Sequence, residues 1–418
     1  MTNKIIAAML ILSILLFGCS TVQPIIDDTV PVIDDTGATP SGVSSVIDAN
    51  NQFAFELYSK FNENEKGNIF FSPYSISTAL AMTYEGARGQ TAEEMQNVFH
   101  FPADINVRGP AFAKIYNEIN KKDKEYKLNT ANALWAQKDY AFLNSYFDLV
   151  GKYYGGKVTN LDFIGETEKS RVTINDWVED QTNDKIKDII PPGVLNPMTR
   201  LVLTNAIYFK GTWVKQFDEK NTKEQDFRVS PGNTVKVPMM SLTGKDAKFN
   251  YTETDKLQVL ELLYKGNELS MLVLLPKEDN LDSISDSLNA EKLAGLRSSL
   301  REQQVDVFLP KFKFETKYFM ADTLSDMGMP TAFTQGKADF SGMTGNQDLF
   351  ISKVIHQAFV EVNEEGTEAA AATVVIMTMS AVPRQTIFMA DHPFIVIIQQ
   401  KETGNILFLG KVMDPSKK

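Results

Sequence analysis

"EEGTEAAAATVVIMTMSAVPR", residues 364–384, decides how this chain is to be read. Two carboxylates and a glycine lead into four consecutive alanines, and a β-branched run, Val374-Val375-Ile376, follows. As a strand, alternate residues share a face. One face is Thr367, Ala369, Ala371, Thr373, Val375, Met377 and Met379, which carries no charge and begins small. The other holds Glu368, Ala370, Ala372, Val374, Ile376, Thr378 and Ser380, so the single carboxylate falls there. A segment patterned this way can slide between two strands without a clash or an unpaired ion. A helix competes: Thr367 can cap it and the alanines favour it, while the β-branched run weakens it. Propensity leaves both open, and the segment is expected to be helix or coil in one state and strand in another.

Outward from this stretch, the second half of the chain is rich in strands. "LQVLELLY" (257–264) and "LSMLVLLP" (269–276) flank "KGNE", and "FIVIIQQ" and "NILFLGKV" flank "KETG"; both read as hairpins. "TRLVLTNAIYFKGTW" (199–213) shows little alternation and suits a strand buried on both faces. "QVDVFLPKFKFE" (304–315) alternates in part. Helices come earlier. Phe53, Leu57 and Phe61 make one apolar helical face, Ser72-Pro73 is a cap and first-turn pair, and 170–186 reads as a helix broken by "PPG". "NKKDKEYK" (120–127) reads as a solvated helix end. Helices first and strands later predict an α+β fold.

The N-terminus is of another kind. Lys4 precedes an apolar run ending in Gly18-Cys19, the only cysteine of the chain. This is the pattern of a secretory signal peptide over residues 1–19, and the run is short for a membrane span. "LFGC" also resembles the lipobox of prokaryotic lipoproteins, which would make Cys19 a lipidation site and a membrane tether. Residues 20–48, rich in Thr, Ser, Pro, Gly and Asp, read as a flexible linker, and 49–418 as one domain. The expected location is extracellular, secreted or anchored to the outer face of the membrane.

Composition narrows the function. A hydrophobic content of 43% and a charged content of 23% are globular, and the net charge of −11 argues against nucleic acid as a partner. The three histidines are His100, His356 and His392. No G-x-S-x-G, H-E-x-x-H or phosphate-binding loop is present, and no Cys/His cluster has metal spacing. An enzyme, a metal site and a cofactor are therefore not expected. His356 in "SKVIHQAFVEV" reads as a hydrogen-bonded core residue, and His392 in "DHPF" as a turn or the start of a strand. Asn250-Tyr251-Thr252 is a formal glycosylation sequon.

Several blocks carry a resemblance. "EEGTEAAAAT" is similar to the hinge of inhibitory serpins, the serine protease inhibitor family. "NIFFSPYSISTALAMTYEGARGQTAEEM" (68–95), "LTNAIYFKGTW" (203–213), "VPMM" (237–240), "DHPFIVII" (391–398) and "GNILFLGKVMDP" (404–415) resemble serpin blocks in serpin order. The resemblance spans essentially all of 49–418. It implies three β-sheets, about nine helices and an exposed reactive centre loop. It assigns Glu364, Glu365, Gly366, Thr367, Glu368, Ala369, Ala370, Ala371 and Ala372 to the hinge. Ser72, Ser75, Asn175, Asn205 and His356 match the shutter under the central sheet, and Trp213 the breach at its top. The family's count places the reactive bond at Ser380-Ala381; a register one shorter gives Met379-Ser380.

The mechanism implied is suicide inhibition: a target serine protease cleaves the loop, forms a covalent acyl complex, and is carried along as the loop inserts. Residues 367–380, at roughly 3.3 Å each, span about 46 Å. No Arg or Lys stands at either reactive position, so the expected targets are elastase-, chymotrypsin- or subtilisin-like. The alternative is a non-inhibitory serpin with a binding, carrier or chaperone role. A monomer is expected, in which a strand acceptor and an insertable strand can also give loop–sheet polymers.

Overall fold

In a computed structural model of the chain, the structure describes residues 32–121, 124–278, 280–367 and 386–417. The first half contributes α1 (Pro40–Asn64), β1 (Ile69–Phe71), α2 (Pro73–Gly86), α3 (Gly89–Phe99), α4 (Ile105–Ile119), β2 (Tyr126–Gln137), α5 (Asn144–Tyr153), β3 (Lys157–Leu161), α6 (Thr167–Gln181) and β4 (Leu201–Thr212). Then come β5 (Lys223–Ser230), β6 (Asn233–Leu242), β7 (Lys248–Glu253), β8 (Leu257–Leu263), β9 (Leu269–Pro276), α7 (Leu281–Ser285), α8 (Ala290–Ser299), β10 (Arg301–Pro310) and β11 (Phe312–Phe319). The last are α9 (Ala321–Asp326), α10 (Ser341–Thr344), β12 (Ile351–Val362), β13 (Gly366–Thr367), β14 (Thr386–Met389), β15 (Phe394–Gln400) and β16 (Ile406–Val412).

The expected α+β arrangement is present, with helices dominating the first half. One sheet runs β11-β12-β13-β4-β2-β3, with β12 also paired directly to β4. The other runs β1-β16-β15-β9-β8-β7-β10-β6-β5, with β14 beside β10. Strand β10 belongs to three ladders, of which that with β14 runs from Val305 to Phe308. Arg301–Gln304 pair with β7, and Val307–Pro310 with β6. That continuity joins two of the three expected sheets into one hydrogen-bonded system.

Both hairpins form. Between β8 and β9 the chain turns at 264–267, where Asn267 N donates to Tyr264 O (2.9 Å) and Gly266 (φ 88°) and Asn267 (φ 58°) take positive φ. Strand β4 is buried along nearly its whole length. Its Leu201, Leu203 and Ile207 join the large core on the α2 side, while Val202 and Ala206 join a second core with Ile174 and Val178 of α6. The central sheet is thus covered on both faces, as its continuous apolar run requires.

Two boundaries differ from expectation. The domain begins before Ala49, because α1 starts at Pro40. Thr39 caps it, its Oγ1 accepting from Gly42 N at 3.1 Å, with Pro40 in the first turn. Val46 and Ile47 are buried, and Ile33 is held by both amide atoms of Asn117. The Thr-Pro-Ser-Gly composition that suggested linker is here a helix start. Helix α6 ends at Gln181, five residues short of the expected limit, where Asn183 and Asp184 take positive φ. After α4, the charged run does not prolong the helix; Tyr126 and Lys127 already lie in β2. The expected signal peptide, Cys19 and linker residues 20–31 lie outside the described residues.

Candidate functional site

The site lies where β12 and β4 part. These strands pair in parallel from Ile351–Leu201 up to Phe359–Tyr208. Beyond that level they no longer meet, because the chain leaves β12, turns at Asn363–Glu365 and returns between them as β13. Thr367 pairs antiparallel with Val362 on one side and with Gly211 on the other. The turn is closed by Asn363 N donating to Gly366 O (2.9 Å) and by Asn363 Oδ1 accepting from Glu365 N (3.1 Å).

The slot admits little else. A Cβ on Gly366 would stand 2.0 Å from the Gly211 carbonyl oxygen, so only glycine passes there. Thr367 is buried, and its hydroxyl bonds the Tyr264 hydroxyl at 2.7 Å. Trp213 stacks on Tyr264 with ring centroids 4.5 Å apart. Its backbone N donates to Glu365 O (2.7 Å) and its indole Nε1 to Asn363 O (3.1 Å). Trp213, expected at the top of the sheet, is therefore the anchor of the turn. Glu364 bonds the Lys311 ammonium (2.8 Å) and the Thr222 hydroxyl (2.7 Å). Burial opposes its charge, yet these two partners hold its carboxyl below the usual range. Glu365 is pushed up, by burial first and then by the carboxylates of Glu219 and Glu364.

Lower in the same strands, a polar row links β12, β4 and β2. His356 and Asn205 are direct ladder partners, as are Asn205 and Asn132 on β2. The His356 Nε2 accepts from Ser72 N (3.1 Å), so Nδ1 carries the proton and donates to Asn205 Oδ1. The Asn205 amide then donates to Ser75 Oγ and Asn132 Oδ1. Complete burial pushes His356 down to about 3, which keeps the ring neutral. Ser72 Oγ donates to Leu407 O (2.6 Å) and caps α2 through Ser75 N. The neighbouring serine and histidine are therefore not a nucleophile and its base, since the hydroxyl faces a carbonyl.

Four of the five expected shutter residues thus meet: Ser72, Ser75, Asn205 and His356. Asn175 does not. It sits on α6, bonding Ile190 N (2.9 Å) and Ile190 O (3.0 Å). Asn205 shares the α2 face with Leu203 and Ile207, while α6 packs on the face of Val202 and Ala206, so the sheet separates Asn175 from the row. Sequence reasoning missed Asn132, Tyr264, Lys311 and Thr222. Only Asn132 left a local trace, as an asparagine inside the apolar run "TANALWA". Hinge residues Glu368, Ala369, Ala370, Ala371 and Ala372, and reactive-bond candidates Met379, Ser380 and Ala381, lie outside the described residues.

Comparison with known proteins places this geometry. Residues 48–415 match the family model described as serpin (serine protease inhibitor). The chain belongs to the serpin family. It is 42% identical to an uncharacterized serpin-like protein of Methanosarcina acetivorans, over 99% of each chain. It is 43% identical to leukocyte elastase inhibitor A of Rattus norvegicus, covering 88% of this chain and 98% of that one. Among solved structures, a highly specific serpin of the insect Tenebrio molitor, Serpin48, superimposes with a TM-score of 0.80 at 34% identity, over 88% of this chain and 98% of that one. In this serpin, β13 lies between β4 and β12, and some of its relatives are protease inhibitors.

Proposed function

We propose that this serpin is a suicide-substrate inhibitor of elastase-, chymotrypsin- or subtilisin-like serine proteases. The observation that carries the reading is β13: the central sheet already accepts Gly366 and Thr367 as a strand between β4 and β12. Insertion would continue their register downward without a shift. Continued from Thr367–Gly211, it sets Thr373 opposite Asn205; continued from Thr367–Val362, it sets Thr373 opposite His356. Asn205 and His356 are themselves partners now, so both ladders lead to one level. The uncharged face, Thr367 to Met377, then points to the α2-side core, as Thr367 does through Tyr264. Insertion replaces one parallel ladder with two antiparallel ones, which gains hydrogen bonds and a slightly better pairing per residue.

Cleavage at Ser380-Ala381 or Met379-Ser380 frees the segment to complete this strand, carrying the acylated protease with it. The test is incubation with a panel of the three protease types. An SDS-stable complex, with the released C-terminal peptide beginning at Ala381 or Ser380 by mass spectrometry, is expected. Clean cleavage with no complex for any of them would instead leave a non-inhibitory serpin.

We also propose that the protein acts outside the cytoplasm, held to the outer face of a membrane through lipidated Cys19. The short apolar run ending in Gly18-Cys19 supports this. Cys19→Ser is expected to move the protein from the detergent phase to the aqueous phase on Triton X-114 partition; an unchanged distribution contradicts it.

A further inference from the structure

Three consecutive residues after β14 gather three other strands. β14 is the first described element after the segment that carries the reactive-bond candidates Met379, Ser380 and Ala381. Among the described residues its strand partner is β10, which it meets in parallel over four residues. So short a parallel ladder holds little by itself. The turn that follows supplies the rest. Ala390 N donates to Phe308 O (2.9 Å) and prolongs the ladder by one bond, and Asp391 O accepts from Arg228 N of β5 (2.8 Å). His392 is 7% exposed. Its Nε2 lies 2.7 Å from Pro276 O, at the end of β9, and its Nδ1 lies 2.7 Å from Asp391 Oδ1.

Both partners of that ring are acceptors, a carbonyl and a carboxylate. A neutral imidazole has one N–H and would set its bare nitrogen against an oxygen lone pair; the imidazolium donates to both. His356 is the contrast, since its Nε2 accepts from the Ser72 amide and so requires the neutral ring. The charges around His392 suit a cation. The Asp391 carboxyl is held below the usual range, by the histidine first, against burial, and then by Arg228, whose Nη2 stands 3.7 Å from the same oxygen. Lys277, next to Pro276, has its own acid in Glu253 (2.9 Å). We propose that His392 is a positioning residue that works as an imidazolium, tying β14 to β9 through Asp391 and Pro276, and that loss of its proton lets β14 part from β10. The charge and the anchoring stand apart from the inhibitor reading. That the anchor sets how the reactive bond is offered to a protease rests on that reading.

The test titrates the intact, uncleaved chain with ¹⁵N-labelled histidine rings, of which there are three. Proton–nitrogen correlation spectra, assigned with His100→Gln and His392→Gln, report which ring nitrogens carry protons. At pH 7.5 an unperturbed histidine, at about 6.5, is mostly neutral. There His392 should show both nitrogens protonated, and His356 one protonated and one bare. Amide exchange of residues 386–390 is followed in parallel by mass spectrometry and corrected for its intrinsic pH dependence. With β14 released, His392 titrates as an ordinary histidine, so the released form binds fewer protons between about 6.5 and the anchored form's midpoint. Protection of 386–390 should therefore be complete below that window and fall within it, by up to about tenfold per pH unit. His392→Arg, a cation throughout, should keep the protection and lose its pH dependence, while His392→Gln should be less protected at pH 6. A bare ring nitrogen on His392 at pH 7.5, unchanged protection as His392 loses its proton, or a pH dependence that survives in His392→Arg overturns the proposal. The wild-type titration needs no variant, so a misfolded substitution does not blunt it. Neither readout involves a protease, so failure here leaves the inhibitor proposal standing. Failure to trap a protease likewise leaves His392 to be judged on its own titration.

Discussion

The upper and lower halves of the β4–β12 contact are built from the same two strands and are in opposite states. Above Phe359–Tyr208 they are held apart by β13, with Gly366 tight against the Gly211 carbonyl and Trp213 and Tyr264 bonded to the turn and to Thr367. Below, they are directly paired and tied by His356, Asn205 and Asn132. The difference lies in what fills the polar needs of the strands. At the top an incoming backbone fills them; lower down a row of side chains does. Direct pairing of the two strands therefore resumes at the level where this row of side-chain hydrogen bonds ties them together.

The largest expected effect comes from closing the upper half. Thr367→Arg puts a cation into the buried slot beside Tyr264 in place of a hydroxyl, and a charge buried there without a partner costs several kcal/mol. The variant should be cleaved as a substrate with no SDS-stable complex. Undiminished trapping would mean that insertion along this register is not how the enzyme is held.

Loosening the lower half comes next. His356→Ala leaves Ser72 N and Asn205 Oδ1 without their partner, at a cost of roughly 2–4 kcal/mol including the cavity. Insertion should then travel further, and heated samples should form loop–sheet polymers at lower temperature on native gels. If the ladder of bands begins at the wild-type temperature, the row is not a lock.

Proton uptake probes the same residue more gently. His356 is held near 3 in the folded state against about 6.5 unfolded, so the unfolded chain binds more protons between those values. Stability from this group is complete above pH 6.5 and lost as pH falls toward 3, by at most about 1.4 kcal/mol per pH unit. Chemical denaturation from pH 7.5 to 5 should show this slope, and His356→Asn should flatten it. Parallel slopes in the two proteins would assign the acid sensitivity elsewhere.

The smallest effect belongs to the rim. Glu364→Gln removes the ion pair with half-exposed Lys311 but keeps an acceptor for Thr222, so it should cost roughly 1 kcal/mol. It should raise hydrogen exchange at the 363–367 turn without preventing complex formation. Loss of inhibition would promote Glu364 from tether to essential part of the slot.

Much of this was legible in the sequence because it is local. The Ser72-Pro73 cap and the doubly buried run of β4 each declare themselves within a dozen residues. What escaped depends on pairing across long separations. Tyr264 meets Thr367, and Lys311 and Thr222 meet Glu364, only because three strands and a turn converge. Asn175 was assigned to the wrong side of the sheet, since strand parity at Asn205 and helix placement on the opposite face are not readable from motifs. The start of α1 was hidden because Thr39-Pro40 serves equally as linker composition and as a helix cap.

One comparison bears most directly on the stored strand. Intact protein and protein cleaved at the reactive bond are melted side by side, followed by far-ultraviolet circular dichroism. If the clipped segment completes the strand that Gly366 and Thr367 begin, the cleaved form will melt well above the intact one and will protect β4 and β12 amides along their whole length. A cleaved form that melts with the intact protein, with β4 and β12 exchanging as before, contradicts it.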